Sequence, residues 1–257
     1  MMIWDMLDTD DLIWNGLALG WFLLCWLGYT PLVRWLWRKG GAINIDMEFV
    51  RARWMLVMAR RREQRLIDGQ LMGHALSSAS FFASSNLILI AAAAGVLFGG
   101  DVSYHKILQA PGLQHAPRLL FDAKIVLITA ALARGLLDFI WSIRQLNYVL
   151  AVIGAAPEGG DSAWRDAYAA ATAQILNPAF KSSNSGVRGY YFALAASAWL
   201  IGPLSLVLAA TAITALLLWR QAHAPAAKGV HAARALLEEV LPDDPPNDLP
   251  EPAEAQI

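Results

Sequence analysis

The chain has 257 residues, of which 57% are hydrophobic and only 16% are charged, and its formal net charge is −1. Soluble domains carry about 45–50% apolar and about 25% charged residues, so this composition argues against an ordinary soluble domain. The near-zero charge lacks the basic excess that attracts nucleic acid, and we expect no nucleic-acid partner. A single cysteine leaves no internal disulfide.

Four apolar stretches are each long enough to cross a bilayer, since about 20 residues of helix span the hydrocarbon core. They lie at about residues 12–33, 76–98, 119–143 and 190–219. The sequence therefore predicts an all-α, polytopic membrane protein with four transmembrane helices and cytoplasmic helical extensions. We expect residues 1–222 to form this transmembrane domain.

The segments between the spans predict further helices. Residues 46–75 contain no proline and are expected to continue as one helix into the second span. Residues 144–176 extend the third span and then form a short helix, capped by Asp161 or Ser162 and closed by Asn177-Pro178. The acidic, proline-rich residues 223–257 are predicted to be a disordered tail.

The distribution of Lys and Arg predicts the orientation. Nine of them lie between the first and second spans, whereas the loop between the second and third spans has only Lys106 and Arg118. Basic loops favour the cytoplasmic side, so the first and third loops are expected inside and both termini outside. We expect a multi-pass protein of the bacterial inner (plasma) membrane.

Small residues recur on two of the spans. Their spacing places those of the second span on one helix face, and we predict helix packing there. A hydroxyl-lined pathway for a polar solute is the alternative. The residues are Gly16 and Gly20 in the first span and Gly73, Ser77, Ser80 and Ser84 at the start of the second.

The third span carries Arg134 near its midpoint and Asp138 one turn later. Residues four apart share a helix face and can form an ion pair. A charge at that depth costs at least about 2.5–3.5 kcal/mol, so such residues usually face protein or a wet cavity. Both a functional pair and a structural pair remain open.

The segment before the second span is rich in arginine. We expect these residues to attract anionic lipids at the cytoplasmic face, by about 1 kcal/mol each near the surface. A docking site for another anionic ligand is the alternative. They are Arg51, Arg53, Arg60, Arg61, Arg62 and Arg65.

No catalytic, cofactor-binding or metal-binding residues can be assigned. The five histidines do not form a facing pair at one depth, and no Cys/His metal spacing occurs. Enzymatic activity is therefore left open, with the balance against it, and no cofactor is expected.

Three segments are distinctive: residues 139–148 (FIWSIRQLNY), residues 186–195 (GVRGYYFALA), and the run from Asp68-Gly69-Gln70 to Ser80-Phe81-Phe82-Ala83-Ser84. They resemble a bacterial and plant family of membrane proteins called domain of unknown function 599, over roughly residues 10–222. The resemblance implies a four-helix integral membrane protein and assigns no functional residue.

The first two of these segments each place an arginine where a helix meets the cytoplasmic interface. We predict a polar or anion-binding pocket at the inner mouth of the bundle, with two snorkelling arginines as the alternative. The predicted pocket residues are Arg144, Gln145, Asn147, Arg188 and Tyr190.

Three functions follow as hypotheses. The first is a structural or accessory membrane subunit, as a homo-oligomer or within a larger membrane complex. The second is a channel- or transporter-like pathway for a small solute or ion. The third is a lipid-binding or lipid-active protein of the inner leaflet.

Overall fold

The computed structural model describes residues 9–38, 40–61, 65–113, 116–157 and 159–240, which form eight α-helices and no strand. Four stretches are long and apolar enough to cross a membrane: Asp10–Leu36, Leu66–Phe98, Arg118–Ala155 and Pro203–Glu239. The predicted all-α class with four candidate spans is confirmed. The helices are α1 (Thr9–Leu36), α2 (Ile43–Arg60), α3 (Arg65–Phe98), α4 (Gly100–Leu108), α5 (Arg118–Ala155), α6 (Ser162–Ser197), α7 (Pro203–His223) and α8 (Pro225–Val240).

Helices α5 and α6 pack antiparallel along their whole lengths. The Tyr168 hydroxyl donates to the Val152 carbonyl at 2.7 Å near the loop between them. Further along, the Ser142 hydroxyl donates to the Ala179 carbonyl at 2.8 Å. At the far end, Lys124 lies over the Trp199 ring, 6.0 Å from its centroid.

Helix α6 is longer than the sequence predicts. Asp161 caps it, accepting from the Trp164 N–H at 2.7 Å, as expected. The predicted end of this helix at Asn177-Pro178 is wrong, because the helix continues to Ser197. Packing against α5 compensates for the backbone hydrogen bond that a proline removes from a helix.

Three glycines let α5 and α6 approach closely, a contact that we call the glycine crossing: Gly135, Gly186 and Gly189. A Cβ on Gly189 would lie 3.0 Å from the Gly135 Cα, and one on Gly186 would lie 2.8 Å from the Phe139 ring. Helix α3 joins at the same level, where the Asn86 side chain donates to the Leu132 carbonyl at 2.9 Å.

The predicted span at residues 190–219 is not one helix. Helix α6 ends at Ser197, a 3₁₀ turn follows at Ala198–Leu200, and α7 begins at Pro203. Pro203 occupies the first turn of α7, a position that proline favours, and the chain reverses between Leu200 and Pro203. Near the reversal, the Trp199 indole donates to Asn15 at the start of α1 at 2.7 Å.

Helix α7 then runs back alongside α1 in the same direction. The Trp21 indole donates to the Thr211 hydroxyl at 3.0 Å. At its end, the Gln221 side chain accepts from the Asn44 N–H of α2 at 3.3 Å. Since α1 also leads towards α2, the end of α7 lies at the α2 end of the bundle.

Helix α8 occupies part of the predicted disordered tail and packs against α2, so the tail does not begin at residue 223. The buried Asp46 of α2 accepts from Arg234 at 2.8 Å and lies 3.2 Å from the His231 Nδ1. We call this contact the Asp46 clamp. Because α2 and α8 touch, they lie at the same end of the bundle, whereas the expected orientation places α2 inside and the chain after the fourth span outside. Residues 241–257 lie outside the described residues.

The segment 46–75 is also divided. Helix α2 ends at Arg60, and Arg61 is extended, with φ −73° and ψ 140°. The expectation of one helix from residue 46 into the second span is therefore wrong at this point. Helix α3 begins at Arg65 and passes through Gly69 and Gly73 into the span.

Two larger apolar cores result among the described residues, beside a small cluster of Ala131, Leu132 and Ala193. One lies at the α2 end, where Met55 and Met58 pack with Met72, Val149 and Leu176 from α3, α5 and α6. The other joins α1, α6 and α7 through residues that include Phe22, Phe192 and Leu206. Arginines reinforce the first core: Arg60 pairs with Asp166 and Arg61 pairs with Asp68, each at 2.9 Å.

Replacing Gly189 with alanine should destabilise the bundle by about 1–3 kcal/mol, because the new methyl group would press against the backbone of Gly135. Gly73→Ala is the matched control, since a Cβ there meets nothing within 4 Å. Alanine favours helices, so the control should be unchanged or slightly stabilised. Thermal unfolding in detergent measures both, and equal melting temperatures would contradict a tight crossing.

The Asp46 clamp should make stability depend on pH. Burial tends to raise the pKa of Asp46, but hydrogen bonds from Arg234, the Gly41 N–H and His231 outweigh it, and the pKa lies below its ordinary value. The ionised carboxylate therefore stabilises the fold at neutral pH, and this contribution is lost as the pH falls through the lowered pKa.

We expect Asp46→Asn to cost about 3 kcal/mol at neutral pH and progressively less between about pH 5 and pH 2. Melting temperatures of the variant and the wild type across that range measure the difference. Asp101→Asn serves as control, because the side chain of Asp101 is 82% exposed. A penalty from Asp46→Asn that stays constant down to the lowest pH would contradict the ionised clamp.

Candidate functional site

Three cavities lie along α6. We call the first the membrane cavity; it has a volume of about 80 Å³ between α1, α5 and α6. Its lining residues are Trp26, Leu27, Thr30, Arg134, Asp138, Ser185, Arg188, Gly189 and Phe192. The membrane cavity lies at the same depth in the bundle as the glycine crossing, since Gly189 is one of its lining residues.

The second, the inner cavity, has a volume of about 210 Å³ and lies towards the α2 end between α1, α2, α6 and α7. The third, the α2 cavity, has a volume of about 310 Å³ between α2 and α6. Arg188 lines both the membrane and the inner cavity, whereas Ile43, Asn44 and Asn184 line both the inner and the α2 cavity.

A charged group lines the membrane cavity. Arg134 Nε lies 3.5 Å from Asp138 Oδ2, and the same oxygen accepts from the Ser185 hydroxyl at 2.7 Å. The Arg134 side chain is 59% exposed, whereas that of Asp138 is 20% exposed. The Asp138 carboxylate is thus held inside the bundle, and the Arg134 guanidinium extends from it towards the surface of the bundle.

Arg188 has weaker partners. Its guanidinium lies 5.3 Å from the centroid of the Tyr29 ring, and one of its nitrogens lies 3.5 Å from the Thr30 hydroxyl. Within the described ranges it forms no ion pair shorter than 4 Å. Arg188 therefore keeps donor capacity that faces the cavities.

The inner cavity contains a buried polar group with no hydrogen bond of normal geometry. The Tyr29 hydroxyl is enclosed, and although Gln221 lies close to it, the two do not meet that geometry. Arg220 donates to the Tyr191 hydroxyl at 2.9 Å on the opposite wall. The N-terminal turn of α2, at Ile43 and Asn44, completes the lining. Helix N-termini favour anions, so this wall adds to the positive character of the cavity.

The predicted pocket at the inner mouth is only partly represented. Arg144 is exposed and its guanidinium lies 3.4 Å from the Tyr148 hydroxyl, while the Tyr190 hydroxyl donates to the Phe82 carbonyl on α3. Asn147 is exposed, and the buried Gln145 Oε1 has no hydrogen-bond partner among the described residues. Of the five predicted residues, Arg188 alone lines any of these three cavities.

The predicted small-residue faces make no close helix contact with the other residues that the structure describes. A Cβ on Gly16, Gly20 or Gly73 would meet nothing within 4 Å. Ser77 and Ser84 are exposed and Ser80 is half-buried. A role for these faces in an oligomer stays a prediction, and the close helix contact inside the chain is the glycine crossing.

Several of the basic residues expected to meet lipid have partners within the fold. Besides the ion pairs of Arg60 and Arg61, Arg51 donates to Asn177 at 2.7 Å and lies over the Phe180 ring. Burial lowers the pKa of Arg51. Arg53 lies over the Phe49 ring. Arg62 and the side chain of Arg65 lie outside the described residues.

The site residues that sequence reasoning missed are mostly neutral, and Arg220 is the charged exception. Tyr29, Thr30 and Gln221 come from the first and last spans, and only the fold brings them to Arg188. A hydroxyl pair at the inner end of the first span is a weak signal, because Tyr and Thr are common at that level of a bilayer. No group of three His, Cys, Asp or Glu suited to a metal occurs in the part of the chain that the structure describes.

Comparison with known proteins identifies a family but assigns no function. Searches of curated proteins and of solved structures each found no match. The family described as "Protein of unknown function, DUF599" matches residues 17–226, a range that overlaps all four candidate spans and includes the lining residues of all three cavities. The chain belongs to the DUF599 family of proteins of unknown function.

Proposed function

We propose that this protein binds the anionic headgroup of a phospholipid in the membrane cavity, and so acts as a lipid-binding protein of the inner leaflet. The observation that carries the proposal is the charge around that cavity. Arg134 and Arg188 supply two guanidinium groups, and Asp138 supplies the one carboxylate among the lining residues.

The excess positive charge favours an anion for a physical reason. A cation within a span is costly unless it has a partner, and Arg188 has only a hydroxyl at 3.5 Å and an aromatic ring. A phosphate accepts strong charge-assisted hydrogen bonds from guanidinium groups, often two at a time. The exposed Arg134 side chain would be the first group that such a headgroup meets.

An orientation accompanies the proposal. Because α6 runs antiparallel to α5 and α7 runs antiparallel to α6, we infer five membrane crossings. They are the four candidate spans, in α1, α3, α5 and α7, and the second half of α6, which is not itself a candidate span by length and hydropathy. The N-terminal end of α1 would lie outside, with α2 and α8 in the cytoplasm. Basic residues at the end of α7 and in α8 support this orientation, because such residues favour the cytoplasmic side. They are Arg220, Lys228 and Arg234.

The other hypotheses have less support. A solute pathway would need the membrane and inner cavities to connect past Arg188, which lines both. An accessory or oligomeric subunit would use the open faces around Gly16 and Gly20. Lipid binding is preferred because it gives the excess guanidinium charge of the membrane cavity an anionic partner.

A reporter that is active only outside the cytoplasm tests the orientation. Fused after Glu239, it should be inactive, because α8 would lie beside α2 on the basic side. Fused after Gly112, between α4 and α5, it should be active and serves as the positive control. Activity at both positions would contradict the five-crossing arrangement.

Lipid binding is tested by reconstituting the protein in nanodiscs of phosphatidylcholine with a minor fraction of phosphatidylglycerol, and counting retained lipids by native mass spectrometry. Arg134→Gln should weaken phosphatidylglycerol retention about tenfold, as expected for loss of a charge-assisted hydrogen bond. Arg144→Gln removes the same charge from an exposed position outside the cavity and should have little effect. Equal losses in the two variants, or wild-type protein that retains both lipids equally, would refute a specific site.

A further inference from the structure

The inner cavity and the α2 cavity adjoin, and together they differ in character from the membrane cavity. Ile43, Asn44 and Asn184 line both. The Asn184 side chain donates to the Asn44 side chain at 3.1 Å, which forms a polar boundary between the two spaces. One end of the combined space is polar and cationic, and the other is apolar.

The polar end has donors and no acidic side chain. Arg188 and Arg220 line it, and no Asp or Glu belongs to its described lining. The Tyr29 side chain is 3% exposed, and its hydroxyl lacks a normal hydrogen bond. Gln221 lies close to this hydroxyl but is poorly aligned with it, so a ligand oxygen at this point would be the better acceptor.

The apolar end is large enough to hold hydrocarbon. Met47, Val50 and Trp54 of α2 and Phe180 of α6 form its apolar wall. Arg51 also lines it, but its guanidinium is bound to Asn177 and lies over Phe180. The Trp54 indole donates to the buried Asp68 at 2.7 Å, which fixes the ring as part of the wall. The wall thus offers apolar surface and few free polar groups.

We propose that these two cavities form one binding site for a single-chain amphiphile with an anionic head. The head would lie between Arg188, Arg220 and the Tyr29 hydroxyl, and the acyl chain would lie in the α2 cavity. A carboxylate or a phosphate provides the acceptors that this polar end lacks, so a fatty acid and a lysophospholipid share the required chemistry. The site shares Arg188 with the membrane cavity but does not involve Arg134 or Asp138, which do not line it.

Photo-crosslinking tests the proposal on the full-length protein in phosphatidylcholine nanodiscs. The probes are a fatty acid and a lysophosphatidylglycerol, each with a diazirine in the acyl chain, and labelled peptides are mapped by mass spectrometry. Labels are expected on residues 47–54 of α2 and around Phe180 of α6. Labelling by only one probe identifies the headgroup class, and excess unlabelled probe should abolish it.

Variants separate this site from its neighbours. Arg220→Gln should reduce labelling of α2 about tenfold, and Tyr29→Phe should reduce it severalfold by removing one hydrogen bond. Arg134→Gln, in the membrane cavity, and Arg144→Gln, outside both, should leave it unchanged. Val50→Trp should block the chain end, with circular dichroism confirming that the variant is folded.

The result that would overturn the proposal is labelling confined to the lipid-facing surfaces of α1 and α3. Labelling of α2 that persists in both Arg220→Gln and folded Val50→Trp would also overturn it. Loss of labelling in Arg134→Gln together with unchanged labelling in Arg220→Gln would assign the probe to the membrane cavity instead, which would support the proposed function while rejecting this second site.

Discussion

The glycine crossing between α5 and α6 is the contact on which the rest of the bundle depends. A side chain larger than hydrogen at Gly189 would meet the Gly135 backbone, so the distance between these helices is set by the glycines. Without a hydrophobic force between helices in lipid, such close approach is a main source of association. Asn86 then attaches α3 at the same level, through the Leu132 carbonyl.

The crossing also places the charged groups. Arg188 directly precedes Gly189, and Asp138 follows Gly135 by about one turn, so the approach of the two backbones brings cation and carboxylate to one cavity. Ser185, one turn before Gly189, fixes the carboxylate by a hydrogen bond at 2.7 Å. A polar group that would be costly in lipid is thereby enclosed by protein on most sides.

Much of the fold class could be predicted from span length and charge, because these follow from the thickness and polarity of a bilayer. The turn between α6 and α7 could not, since residues 190–219 are continuously apolar and Pro203 is as consistent with a kink as with a new start. Helix α8 was hidden because its residues precede an acidic, proline-rich stretch. The partners of Arg188 depend on α1, which is far away in sequence.

The candidate site was likewise only partly predictable from the sequence. The i to i+4 spacing of Arg134 and Asp138 could be read directly, whereas Arg144 and Arg188 were grouped only because both lie at a helix end. Their helical faces decide otherwise: Arg144 is exposed beside Tyr148, and Arg188 faces α1. Sequence gives the depth of a residue in a span more readily than its direction around the helix.

The Asp46 clamp has a consequence for how the chain is assembled. Asp46 is synthesised soon after the first span, but its partners Arg234 and His231 emerge only after the last one. Until then the Asp46 carboxylate, which is fully buried in the folded protein, lacks the partners Arg234 and His231 and must stay hydrated. Helix α2 therefore cannot pack fully against the bundle before α8 is in place. A chain in which α7 failed to insert would hold α8 on the wrong side and leave this carboxylate unneutralised. The clamp thus makes completion of the native state conditional on correct insertion of every preceding helix, and a misinserted protein would retain a loose, protease-sensitive α2.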